Sequence, residues 1–89
     1  MAVVRGIVRT DQGDPVAEAR VHFSRGPVPL PDIAALTDDQ GSFAVTAPAP
    51  GRYELTVSAG ERTVRQPLEI APEQQSVDVA IVIETSGPR

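Results

Sequence analysis

A chain of 89 residues has room for one domain, since a second would be too small to bury its own core. At this size only ~60–65% of the unfolded surface is buried, leaving little stability for a deep catalytic cavity. The formal charge of −4, with 12 acidic residues against eight basic ones, all arginine, argues against a nucleic-acid partner, whose binding rests on clustered cations.

No apolar stretch approaches the ~20 residues needed to cross a bilayer as a helix. The first residues, Met1 to Gly6, show no charged leader followed by an apolar core, so a cytoplasmic location is expected. Cysteine, lysine and asparagine are all absent, which removes disulfides, thiolate chemistry, Schiff bases and N-glycosylation.

Short alternating runs broken by Gly, Pro and Asp predict an all-β domain over residues 1–85, with 86–89 a frayed tail. Strands are expected near 3–10, 18–24, 35–38, 42–47, 52–59, 62–70 and 76–84. The fifth has the cleanest alternation: Tyr53, Leu55 and Val57 face one way, and Arg52, Glu54, Thr56 and Ser58 the other. In the last, Val77, Val79, Ile81 and Ile83 make one face. Between strands, Asp11 to Pro15 and Asp38 to Gly41 read as turns in which Asp accepts backbone N–H bonds and Gly supplies positive φ. The only aromatics, Phe23, Phe43 and Tyr53, fall on inward positions.

Gly6-x-Val8, then Asp11, Gly13 and Pro15, then Ala19-x-Val21 resembles the opening of a carboxypeptidase regulatory-like domain. Thr37-Asp38-x-x-Gly41-x-Phe43 and Pro50-Gly51-x-Tyr53-x-Leu55-x-Val57 extend the resemblance to about residue 60. It implies a seven-stranded antiparallel Greek-key β-sandwich of the transthyretin (prealbumin) type, with strands one, four and seven as neighbours. Domains of that family usually serve as accessory or adhesive modules. The matching residues Gly6, Asp11, Gly13, Asp38, Gly41, Phe43, Gly51 and Tyr53 are assigned to turns and core, because such motifs specify fold and are almost silent on activity.

Reactive chemistry is thin. Asp11, Asp14, Asp38, Asp39 and Glu61 should gather at one end of the sandwich, but no 12-residue calcium loop is present and the turns already employ their aspartates. His22 is the only imidazole and should point outward near Arg20. One histidine cannot complete a zinc site or an oriented triad. Nor can it supply the several histidines on which a transthyretin-like hydrolase of a urate-derived substrate depends. No enzyme, cofactor or metal is expected.

Two surfaces are candidate partner sites. Val28, Leu30 and Ile33 are apolar in a loop stiffened by Pro27, Pro29 and Pro31; it either plugs the open end of the sandwich or presents a pre-ordered docking segment. The second is the outer face of strands one, four and seven. There Ile7, Ala44, Ala80 and Val82 would form an apolar centre rimmed by Arg5, Arg9, Asp78 and Glu84. The expected function is a non-enzymatic protein-interaction or structural module, a small subunit or adaptor. Its partner would be a protein, or a second copy engaged through this face or an edge strand. The alternative is a carbohydrate- or polymer-binding accessory module.

Overall fold

The computed structural model describes residues 2–29 and 34–84. Its strands are β1 (Ala2–Thr10), β2 (Arg20–Arg25), β3 (Ala35–Leu36), β4 (Ser42–Ala47), β5 (Gly51–Ala59), β6 (Arg62–Ile70) and β7 (Ser76–Ile83). The period-two pattern puts them there. Along β1, Ala2, Val4 and Val8 are buried while Arg5 and Arg9 are exposed; along β5, Tyr53, Leu55 and Val57 are buried and Arg52 is exposed. The 86–89 tail lies outside the described residues.

β2 begins later and β3 ends earlier than expected, and Thr37 explains both. Glu18 takes a φ of 60°, outside the extended region, so β2 begins at Arg20 rather than at 18. Its N–H donates to the Thr37 carbonyl (3.0 Å), the Ala19 N–H donates to Thr37 Oγ1 (2.8 Å), and the Thr37 hydroxyl donates to the Val16 carbonyl (2.6 Å). Thr37 is buried. It therefore leaves the β3 ladder after Leu36 to hold the 16–19 segment in place.

The strands form two sheets, β4-β1-β7 and β3-β2-β5-β6, giving the transthyretin-like Greek-key sandwich and the neighbours that the resemblance implied. The arrangement is antiparallel with one qualification: β1 and β7 pair in parallel, Val3 opposite Ser76 through Thr10 opposite Ile83. Successive strands reverse direction, so two odd-numbered strands laid side by side must run the same way. The sheets share one aliphatic core. Val4, Val8, Ile81 and Ile83 come from the first sheet and Val21, Leu55 and Val57 from the second, all essentially inaccessible to solvent. Each such side chain contributes about 1.5–3 kcal/mol by leaving water.

The family-like residues are the fastenings of this core. Gly6 stands opposite Phe43, and a methyl group there would lie 2.6 Å from Phe43 Cζ and 2.7 Å from Val79 Cγ2. The phenyl ring occupies the space that the glycine leaves. Asp38 Oδ1 accepts the N–H groups of Gln40 and Ser42, both at 2.9 Å. Gly41, at φ +79°, places its Cα so close to the Val8 carbonyl that no Cβ could be added. The Tyr53 hydroxyl donates to the Ala49 carbonyl and accepts the Ala49 N–H at 3.1 Å. It pins the β4–β5 corner while its ring stacks obliquely on Phe23, with centroids 4.7 Å apart.

The 10–14 turn has an acceptor that its aspartates and glycine did not announce. There Thr10 Oγ1 takes the N–H groups of Gln12 (3.2 Å) and Asp14 (3.1 Å). Asp11 donates its N–H to the Ile83 carbonyl at 3.1 Å, tying the turn to β7. Gly13 keeps its expected place, at φ +91°.

Candidate functional site

Strand reversal divides the surface into two ends and two outer faces. At the acidic end, the β1–β2 and β3–β4 connections interlock through the main chain. The Val8 N–H donates to the Gly41 carbonyl (2.8 Å) and the Val16 N–H to the Val8 carbonyl (2.9 Å). Among the described residues no three His, Asp or Glu side chains converge as a metal-ligand set.

At the opposite, proline-rich end, Pro27 packs on Gly51: a Cβ there would lie 2.8 Å from Pro27 Cγ. The start of the 26–33 loop thus folds back on the neighbouring corner. Val28 remains 37% exposed, while Leu30 and Ile33 lie outside the described residues. Beside this contact is an open hollow of about 580 Å³ lined by Pro50, Glu69, Ile70, Ala71 and Pro72 among others.

The outer face of the three-stranded sheet brings Ile7, Ala44, Ala80 and Val82 together. Register fixes it: Arg5 lies between Ala44 and Asp78, Ile7 between Ser42 and Ala80, and Arg9 beside Val82. Ala44 and Ala80 are exposed, Ile7 is half-buried, and Val82 is 56% exposed. Large apolar side chains left that open are few among the described residues, Val82 being accompanied only by Val28 and Leu36. The apolar line runs obliquely across the face from Ala44 through Ile7 and Ala80 to Val82, with Arg5, Arg9, Asp78 and Glu84 around it.

The edges offer less. β3 is two residues long and β6 carries Pro67 within it, and both features discourage further strand addition. The edges of β4 and β7 carry no such block.

The outer face of the four-stranded sheet holds a feature that sequence reasoning missed. His22 does point outward, but its company is Ser24, Arg25, Glu54, Thr56 and Arg65, around an open hollow of about 380 Å³. His22 and Arg65 flank Thr56 across the sheet. The Thr56 hydroxyl donates to Ser24 Oγ and the Ser24 hydroxyl to Glu54 Oε1, each at 2.7 Å. A skipped residue in the β2–β5 ladder, between Phe23 and Arg25, assembles the group, and no pattern in His22-Phe23-Ser24-Arg25 signals it.

A family model, the carboxypeptidase regulatory-like domain, matches residues 3–84. The chain belongs to that family. The residues that carry the likeness in this carboxypeptidase regulatory-like domain, Gly6 with Phe43, Thr37 to Gly41, and Tyr53, are the fastenings described above and none lies on an outer face. No curated protein matches the chain.

Among solved structures, two type II cohesin–X–dockerin complexes from Acetivibrio cellulolyticus are similar, one a C-terminal and the other an N-terminal interface mutant. Each has a TM-score of 0.65 and 15% identity over 93% of this chain. A DUF3823 family protein from Parabacteroides merdae follows at a TM-score of 0.56, with 16% identity over 92% of this chain. The domain spans 57% of the two former chains and 45% of the latter. At such identities the likeness is one of fold. Among the described residues no helix is long and apolar enough to cross a membrane.

Proposed function

We propose that this carboxypeptidase regulatory-like domain is a non-enzymatic protein-interaction module, a small subunit or adaptor that docks through the outer face of β4-β1-β7. The observation that carries it is the apolar line Ala44–Ile7–Ala80–Val82, with Val82 more than half exposed inside a rim holding both charge signs. An apolar centre with a polar rim is how protein interfaces are built. The similar cohesin–X–dockerin structures are themselves complexes between proteins, which supports the reading.

The face favours a larger partner over a second copy. Three strands about 4.8 Å apart and about 26 Å long present roughly 370 Å², whereas a stable dimer needs about 600 Å² or more from each side. A larger protein reaches past the face to the β7 edge and the proline-rich end. All three aromatic residues belong to the core or pack against it. The described surface therefore has no ring on which a sugar could stack, and the polymer-binding alternative has no observation in its favour.

The test is an affinity pull-down with the intact chain, an Ile7→Ser/Val82→Glu variant and a Val28→Ser/Leu30→Ser/Ile33→Ser variant. The captured protein is then purified and titrated against each. Binding at least about ten-fold weaker in the face variant, at an unchanged melting temperature, supports the reading. Loss in the loop variant alone moves the site to the proline-rich segment. A tight homodimer abolished by Val82→Glu would replace the partner with a second copy.

A further inference from the structure

We propose that the hollow on the four-stranded face binds a carboxylate carried by an acidic peptide segment of a protein partner. The β2–β5 ladder is regular from Arg20 opposite Ser58 to Phe23 opposite Leu55, then skips a residue so that Arg25 stands opposite Glu54. A bulge of this kind places two residues of one strand against one of the other and re-aims their side chains. Ser24 is the extra residue here. His22, Ser24 and Arg25 consequently share the outer side, where strict alternation would have sent Arg25 toward the core.

The polar groups of the hollow are arranged to leave its cations available. Thr56, only 6% exposed, sits at its floor and donates to Ser24, which donates to Glu54 Oε1. That relay ties the glutamate to a hydroxyl instead of a guanidinium. Among the described residues neither Arg25 nor Arg65 forms an ion pair, and both are exposed. Guanidinium groups present a planar fork of donors that matches a carboxylate. The volume of about 380 Å³ lies at the low end for small-ligand sites, suited to one side chain rather than a folded segment.

The mixed charge selects the ligand. Arg25 and Arg65 against Glu54 leave the hollow one formal positive charge, which a single carboxylate cancels. The remaining oxygen of Glu54 then accepts the N–H of the peptide unit that carries it. A phosphate dianion would set its second charge against Glu54 with no N–H to offset it. The overall charge of −4 does not repel an acidic peptide at this place, because surface charges beyond about 8 Å are screened at physiological salt.

The experiment is an amide NMR titration of the full chain with a capped Gly-Ser-Glu-Ser-Gly peptide, its Gln counterpart, inorganic phosphate and a galacturonate oligomer. Saturable shifts at His22, Ser24, Arg25 and Arg65 are expected with the Glu peptide. Binding should weaken about ten-fold or more with the Gln peptide and in Arg25→Gln/Arg65→Gln. Equal binding of the two peptides, an unaffected double variant, or tighter binding of phosphate or the galacturonate oligomer would each overturn the proposal. It rests on the protein-binding reading only in taking the carboxylate from a protein, and it uses the opposite face. Ile7→Ser/Val82→Glu should bind the peptide like the intact chain, so either site can fail without obscuring the other.

Discussion

The two outer faces of this sandwich are laid down by the same alternation and come out with opposite characters. On β4-β1-β7 the ladders run without interruption, and the face is an apolar line between balanced charges, Arg5 and Arg9 against Asp78 and Glu84. On β3-β2-β5-β6 a single bulge adds one outward residue, and the face carries Arg20, Arg25, Arg52 and Arg65 against Glu54 and Glu69. An acidic protein thereby acquires a basic side. Regular register keeps a face as the sequence pattern writes it. One irregularity is enough to collect polar side chains that the pattern would have separated.

That contrast breaks most easily at the regular sheet. Gly41→Val puts a β-branched residue at φ +79° against the Val8 carbonyl, and is expected to cost about 3 kcal/mol. Urea denaturation gives the loss, and hydrogen exchange its location, which should be the β1 and β4 amides before those of β2 and β5. A midpoint within error of the parent would mean the 38–41 turn does not hold β4 to β1.

Gly6→Ala drives a methyl into the Phe43 ring and should cost about 2 kcal/mol by overpacking. Phe43→Leu opens the same space, so the double variant should lose less than the sum of the two single losses in a mutant cycle. Strict additivity would show that ring and glycine are not partners.

The four-stranded sheet has its own fastening in Tyr53. Tyr53→Phe removes a hydroxyl that both donates to and accepts from Ala49, and about 1 kcal/mol of stability should go with it. Because the ring stays against Phe23, the apolar packing is unchanged and the loss isolates the corner bond. A variant as stable as the parent would show the corner is held by Pro50 and Gly51 alone.

The sequence made the regular sheet legible down to its outward residues, because burial on one face ties register to the position of Val4, Val8, Ile81 and Ile83. Gly41, Phe43 and Tyr53 were readable as fold residues for the same reason: each serves a local turn or a large buried side chain. Thr10 went unread as an acceptor in the 10–14 turn, since threonine and aspartate offer the same oxygen chemistry one position apart. The hollow at His22 stayed hidden because nothing in His22-Phe23-Ser24-Arg25 announces that the ladder will skip Ser24. A bulge is decided by how β2 must bend to meet β5, a tertiary demand.

The smallest expected effect on stability therefore tests the least legible feature. Ser24→Ala leaves the backbone bulge in place and deletes the hydroxyl between Thr56 and Glu54, at a cost of about 0.5 kcal/mol for hydrogen bonds at a solvent-accessible site. Its effect on the face should be larger than its effect on the fold. Released from Ser24, the Glu54 carboxylate can swing to Arg25 or Arg65, and either pairing removes a guanidinium from the hollow. The melting curve should hardly move while the Glu-peptide shifts shrink. A loss above about 2 kcal/mol, a size associated with breaking a buried network, would instead make Ser24 a fastening of the bulge and the arginine-rich face a by-product of how the sheet is held together.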